Sequence, residues 1–242
     1  MSYGSQDPWS VGRGAAVRGA EYDLGLRTFM LRVYNYMASG LALTGITAWL
    51  AAETGFYAQI AHTPLIYLVI FAPFILVMLL GFRLQKMSFG AAQTTFWAYS
   101  ALMGLSLAGI FLIYTHTSIA LTFFITAATF LSMSLYGYTT KSDLSKMGSF
   151  MMMGLFGIIL ASLVNMFMHS TGLQFVVSIV GVIVFTGLTA WDTQRIKEQY
   201  DLVAGHDGQT VGKTAIMGAL TLYLDFVNLF MMLLQFFGQR RN

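Results

Sequence analysis

Seven long apolar stretches restrict this chain to folds in which most of the surface faces lipid. A helix that crosses a bilayer needs about 20 mostly apolar residues. Stretches of suitable length lie at 33–52, 64–82, 89–111, 118–138, 147–168, 173–191 and 214–237. Hydrophobic residues make up 57% of the 242 residues and charged residues only 10%, whereas a soluble domain carries about 25% charged residues. The pattern therefore predicts an all-α integral membrane protein with seven transmembrane helices.

The placement of lysine and arginine predicts how the chain is oriented. Basic residues cluster before the first stretch and in alternate connections, 83–88, 139–146 and 192–213. The other connections, 53–63, 112–117 and 169–172, contain none. Because cytoplasmic loops are enriched in Lys and Arg, we expect a cytoplasmic N-terminus, in the plasma (inner) membrane if the source is bacterial. Arg240 and Arg241 are the exception: seven spans place them outside, unless the last segment is re-entrant.

Composition also sets the expected domains and excludes several chemistries. Residues 1–28 are polar and glycine-rich and lack the apolar core of a signal peptide, so we expect a flexible cytosolic tail before a transmembrane domain at 29–242. The chain has no cysteine, which excludes disulfides, iron–sulfur clusters and zinc–thiolate sites. Scattered basic residues do not indicate nucleic-acid binding, and no catalytic or cofactor motif is found, so neither an enzyme nor a resident cofactor is expected.

Two aspartates in the last two apolar stretches are the candidate functional residues, Asp225 in the middle of the final stretch and Asp192 at the end of the one before it. Asp225 follows Lys213 by 12 residues, ~18 Å along a helix, close to the middle of the ~30 Å apolar core. An acidic group at that depth is costly and is usually functional, so Asp225 is a candidate proton-binding group. Asn228 lies on the same helix face and is a candidate supporting polar residue.

Asp192 ends the preceding stretch, at about the same predicted depth as Arg83 at the end of the second stretch. An Arg83–Asp192 ion pair is therefore expected. Straight, full-length helices would separate Asp192 and Asp225 by more than about 10 Å in depth. The two aspartates can meet only if the sixth helix starts deeper or the seventh begins before Lys213.

Two motifs resemble the Bax inhibitor-1 family, also called the transmembrane Bax-inhibitor-motif family. They are Ala190-Trp191-Asp192-Thr193-Gln194 and Leu222-Tyr223-Leu224-Asp225-Phe226-Val227-Asn228-Leu229-Phe230. The resemblance covers roughly residues 25–240, with Trp191 where a tyrosine is common in the family.

The resemblance implies a seven-helix fold whose last helix is central, and a pH-sensitive calcium leak controlled by Asp192 and Asp225. It further implies that Arg83 latches the closed state and that the chain can associate with a membrane-bound protease. Lipid, calcium and protons are then the expected partners, with calcium as the transported ion.

Other functions stay open at this point. A regulator of a membrane protease or of cell death and stress would bind a partner without conducting ions, and a proton-coupled transporter would move its substrate only with a proton gradient. An intramembrane aspartyl protease is disfavoured because Tyr223-Leu224, rather than Gly-x-Gly, precedes Asp225. A retinal protein is also disfavoured, because it would need a lysine inside the last stretch and only Lys213 lies at its edge.

Overall fold

The computed structural model describes residues 8–241, and the side chains from residue 21 onward except that of residue 85. Within this part the chain is helical, and its only bridge of the β type joins Tyr114 and Arg240. The helices are α1 (Pro8–Glu53), α2 (Phe56–Ala61), α3 (Leu65–Arg83), α4 (Phe89–Leu107), α5 (Ile110–Ile113), α6 (His116–Thr139), α7 (Ser145–Met168), α8 (Thr171–Val203) and α9 (Gly208–Phe237). The all-α prediction is confirmed.

Short polar side chains mark where several of these helices begin. Ser88, Thr115 and Ser170 each accept a hydrogen bond from a backbone N–H in the first turn of α4, α6 and α8. Asp207 accepts two such bonds, from the N–H groups of Gln209 and Thr210 at the start of α9. Such caps satisfy N–H groups that a helix leaves unpaired at its start, which allows the connections to be short.

Six helical segments of the described chain are long and apolar enough to cross a membrane. They are Leu65–Arg83, Phe89–Ile113, His116–Thr139, Ser145–Met168, Thr171–Val203 and Gly208–Phe237. The remaining predicted stretch, 33–52, lies within α1, which is not among the six. The count of seven spans is therefore not established by length and composition.

Helix α1 nevertheless extends along the whole bundle. Near its N-terminal end, the Tyr22 hydroxyl donates a hydrogen bond to the carboxylate of Asp201, close to the end of α8. At its other end, a Glu53 oxygen lies 3.6 Å from Nε2 of His116, the first residue of α6. Helix α1 is continuous across residue 28 and Leu26 is buried, and the expected division of the chain at residue 28 stays a prediction. Residues 1–7 of the expected tail lie outside the described residues.

Helix α9 lies inside the bundle, packed against α1, α4, α6 and α8. Buried residues make up 67% of its apolar stretch, compared with 6% for α7, which faces outward. Glycines permit some of the closest contacts between the other helices. A Cβ on Gly137 of α6 would lie 2.1 Å from the Ala190 carbonyl oxygen of α8, and one on Gly104 of α4 would lie 2.4 Å from the Thr44 carbonyl oxygen of α1. Small residues at such positions are typical of packed membrane helices.

Candidate functional site

The two candidate aspartates lie on the antiparallel pair formed by α8 and α9. A short turn, with Gly205 in the left-handed region at φ 88°, joins the helices. Gly181 of α8 packs against Met232 of α9, and Gly218 of α9 packs against Ile196 of α8. Asp192 and Asp225 both fall between these two contacts. The pairing of the helices therefore brings the aspartates to the same level.

The observed ends of α8 and α9 explain why Asp192 and Asp225 meet despite the expected difference in their depths. Helix α8 continues to Val203, so Asp192 lies inside it, about three turns before its end, rather than at a boundary. Helix α9 begins at Gly208, before Lys213, which was one of the two conditions for a meeting of the aspartates. The extension of α8 places Asp192 11 residues, ~17 Å, from the end of the helix, and so moves it toward the level of Asp225.

The aspartate side chains are buried and adjacent. Asp192 is 7% exposed and Asp225 is 5% exposed. Their carboxyl groups are hydrogen-bond neighbours. Since an ionised carboxylate can only accept a hydrogen bond, such a bond requires one proton on the pair. Oδ2 of Asp225 is buried and has no hydrogen-bond partner among the described residues. The pair thus holds an interior acceptor that a proton or a cation could satisfy.

The positive charge that acts on Asp192 in this structure comes from Arg195, three residues further along α8. The Arg195 guanidinium carbon also lies 5.4 Å from the centre of the Trp191 ring. Arg83 is exposed at the end of α3 and forms no ion pair with any carboxylate in the described part of the chain. The expected Arg83–Asp192 ion pair is absent from this conformation, because α3 packs against α4 rather than against α8. The latch role of Arg83 stays a prediction.

The amide of Asn228 donates to the carbonyl oxygen of Leu224, one turn earlier in α9, at 2.8 Å. This local bond engages the side chain with its own helix. A supporting role for Asn228 at the aspartate pair therefore also stays a prediction.

A line of three hydroxyl groups, which the sequence analysis did not single out, reaches the site from the side of α1. The Tyr34 hydroxyl lies 2.7 Å from Oγ of Ser134 in α6, which lies 2.9 Å from Oγ1 of Thr193 in α8. Thr193 donates to the carbonyl oxygen of Thr189 at 2.7 Å. Because each hydroxyl has one proton, the bonds run from Tyr34 through Ser134 to Thr193. Thr193 follows Asp192 directly, so the line ties α1 and α6 to α8 beside the aspartate.

A second hydroxyl contact holds α9 near Asp225. The Tyr223 hydroxyl lies 2.7 Å from Oγ1 of Thr44 in α1, and both side chains are buried. Oγ1 of Thr44 also lies 2.9 Å from the carbonyl oxygen of Ser100 in α4. Tyr223 therefore connects α9 to both α1 and α4, two residues before Asp225. Its position inside the Leu222–Phe230 motif was the sequence signal that could have pointed to it.

The aspartate pair supplies two acidic side chains to any cation that reaches it. The described residues contain no group of three or more His, Cys, Asp or Glu side chains placed to hold a metal ion. Calcium takes six to eight oxygen ligands in proteins, and the pair supplies carboxyl oxygens from two residues only. Two carboxyl groups can contribute to a weak, transient cation site along a path.

The apolar helices and the interior acidic pair define a multi-pass helical membrane protein. A family model described as "Inhibitor of apoptosis-promoting Bax1" matches residues 26–242. The chain belongs to this family, the Bax inhibitor-1 family, which confirms the resemblance drawn from the two aspartate motifs.

Several bacterial relatives match the chain over almost its whole length. The chain is 49% identical to inner membrane protein YbhL of Escherichia coli strain K12, over 90% of this chain and 94% of the relative. It is 48% identical to an uncharacterized protein of Rickettsia prowazekii, over 91% of this chain and 93% of that protein. It is 47% identical to an uncharacterized protein of Borreliella burgdorferi, over 88% of this chain and 93% of that protein.

Proposed function

We propose that this protein is a pH-sensitive calcium leak channel in a bacterial inner membrane, with Asp192 and Asp225 as its proton-sensing and calcium-conducting residues. The observation that carries the proposal is the buried pair of hydrogen-bonded carboxyl groups on α8 and α9, one oxygen of which has no partner in the described part of the chain. Acidic groups inside a membrane bundle commonly mark ion and proton paths. The proposed role involves no catalysis and no resident cofactor.

The proposal includes seven spans with a cytoplasmic N-terminus. The support is the course of α1, which contacts the end of α8 through Tyr22 and the start of α6 through Glu53. The C-terminal segment lies at the same end of the bundle as Glu53, because the Thr115 N–H donates to the Gln239 carbonyl oxygen at 3.0 Å. If α1 crosses the membrane from a cytoplasmic N-terminus, this end of the bundle lies outside. The connections at this end contain few basic residues, in agreement with that orientation.

The gating step is a change in the charge of the pair. Arg83 can bind Asp192 only when the Asp192 carboxyl is ionised, so an Arg83–Asp192 latch is present at higher pH and is lost as the pH falls. In the conformation described here Arg83 is exposed and not paired with Asp192, as we expect for an unlatched state. We therefore expect the leak to increase on acidification. Calcium, as the transported ion, would pass the two carboxyl groups without being held by a full set of ligands.

Calcium flux into liposomes tests this proposal. The purified protein is reconstituted with a calcium-sensitive dye inside, and the initial flux is measured over a series of buffers of falling pH. Asp225→Asn should abolish the pH dependence of the flux, because one member of the pair can no longer ionise. Asp143→Asn, which makes the same chemical change at an exposed aspartate between α6 and α7, is the matched control and should behave as the wild type.

The same assay separates the rival functions. Flux that responds to pH in Asp225→Asn as it does in the wild type would refute the gating role of the pair. Flux that requires a proton gradient, rather than a low pH on both sides, would indicate a proton-coupled transporter. Absence of any flux, together with co-purification of a membrane-bound protease, would indicate a regulator that does not conduct.

A further inference from the structure

A groove open to the lipid runs between α1 and α6. Helix α1 packs against α4 and α9, and α6 packs against α8 and α9, but α1 and α6 make few direct contacts. Two clefts lie in the gap, with cavity volumes of about 280 Å³ and about 570 Å³. Tyr34 and Leu131 line both clefts, so the two form one continuous groove.

One end of the groove carries positive charge. Arg27 of α1 lines this end, opposite Tyr138 of α6. Lys197 of α8 donates to the Tyr138 carbonyl oxygen at 3.0 Å, and its nitrogen lies 5.3 Å from the centre of the Tyr138 ring. Arg27 forms no ion pair with a carboxylate of the described chain. The Arg27 guanidinium is therefore available to an external anion.

The rest of the groove is apolar. Its walls include the small side chains of Ala38, Ala42 and Ala127, which leave the space open, and Phe226 of α9 contributes to its floor. Apart from the Tyr138 hydroxyl at the charged end, the hydroxyl groups that line the groove are those of Tyr34 and Ser134, which are bonded to each other at 2.7 Å. An occupant of this part must consequently be a hydrocarbon.

The dimensions of the groove fit one lipid chain. From Arg27 to Leu41, which lines the second cleft, is 14 residues of continuous helix, ~21 Å along the axis. Half of a ~30 Å apolar core is ~15 Å. A lipid chain that starts at the charged end and reaches the middle of the membrane can therefore lie wholly within the groove.

We propose that this groove binds an anionic phospholipid, with its phosphate at Arg27 and one acyl chain between α1 and α6. The guanidinium group of arginine suits a phosphate because it can donate two parallel hydrogen bonds. The inference goes beyond the calcium leak and rests on only one part of the proposed function, the position of α1 in the membrane. The bound lipid would fill a gap that the protein's own side chains leave open.

Native mass spectrometry of the full-length protein in detergent tests the headgroup. The protein is titrated with phosphatidylglycerol and, separately, with phosphatidylcholine of the same acyl chains. The wild type should retain phosphatidylglycerol more strongly. Arg27→Gln should weaken that retention about fivefold, equivalent to ~1 kcal/mol for one basic residue near the membrane surface. Arg32→Gln is the matched control, because Arg32 is exposed and lies roughly 140° around α1 from Arg27, away from the groove.

A second pair of variants tests the acyl chain. Ala127→Trp should fill the groove and remove the strong retention of phosphatidylglycerol, whereas Ala128→Trp, on the exposed side of the same turn, should leave it unchanged. Equal retention of the two lipids by the wild type would overturn the proposal. So would equal effects of Arg27→Gln and Arg32→Gln, or a folded Ala127→Trp protein that binds as Ala128→Trp does. If Ala127→Trp does not fold, the arginine pair decides alone. None of these readouts measures calcium flux, so their failure would leave the leak proposal intact.

Discussion

Replacement of Gly137 by alanine should loosen the contact between α6 and α8 next to the aspartate pair. The added Cβ would lie 2.1 Å from the backbone carbonyl oxygen of Ala190. An ordinary contact between carbon and carbonyl oxygen is about 3.3–3.6 Å, so the helices must separate by roughly 1 Å. Backbone atoms cannot relieve the clash by changing rotamer. The hydrogen bond between Ser134 and Thr193, now 2.9 Å, would then lengthen beyond bonding range.

The magnitude follows from three contributions. Overpacking of a closely packed site costs about 1–3 kcal/mol, and the lost hydrogen bond costs about 1 kcal/mol more. Alanine in place of glycine within a helix returns roughly 0.5–1 kcal/mol. We therefore expect Gly137→Ala to lower the free energy of unfolding by about 1–3 kcal/mol. For a chain of this size that corresponds to a fall in Tm of roughly 2–12 °C.

Thermal unfolding of the purified protein in detergent measures this change. The control is Gly157→Ala in α7, where an added Cβ meets no atom within 4 Å and the gain in helix propensity should leave Tm equal or slightly higher. A Gly137→Ala protein that unfolds at or above the wild-type temperature would refute the argument from the close approach of α6 and α8.

Two further predictions concern hydroxyl groups. Thr44→Val should lower the free energy of unfolding by about 1–3 kcal/mol in detergent denaturation, because it leaves the buried Tyr223 hydroxyl without its partner. The double variant Thr44→Val/Tyr223→Phe should recover part of this loss. Losses that simply add in the double variant would contradict the prediction. The hydrogen bond to Asp201, with burial as the next cause, raises the pKa of Tyr22 to about 12. The stabilisation from Tyr22 is therefore complete below the ordinary tyrosine pKa near 10 and is lost as the pH rises through about 12. Ultraviolet titration measures this pKa, and Tyr22→Phe assigns the signal. Asp201→Asn should return the Tyr22 pKa toward its ordinary value. An unchanged titration in Asp201→Asn would contradict the hydrogen bond between Tyr22 and Asp201.

The apolar stretches predicted the helices well, but not where α8 ends or where α9 begins. Hydropathy indicates where a helix leaves the lipid. Because the segment after Asp192 is polar, the pattern predicted an end of the sixth apolar stretch at residue 191. The structure continues α8 to Val203, since polar residues can extend a helix beyond the apolar core. The early start of α9, before Lys213, has the same cause.

The site itself was predictable only in part. Asp225 was identifiable because an acidic residue inside an apolar stretch is rare. The bond between Tyr34 and Ser134 joins residues far apart in the chain, and no local pattern marks it. Arg83 and Asp192 have similar predicted depths, but equal depth does not determine which helix a side chain faces. In this structure Arg195, on the same helix as Asp192, supplies the nearby charge.

The gating claim is tested most directly by the pH dependence of calcium flux in three variants: Asp192→Asn, Asp225→Asn and the double variant. Each is compared with the wild type in the same liposomes. If the two carboxyl groups act as one unit, each single variant should lose the response to pH, and the double variant should lose no more than either one. Effects that add in the double variant, or a response that survives in either single variant, would show that the two aspartates do not act together.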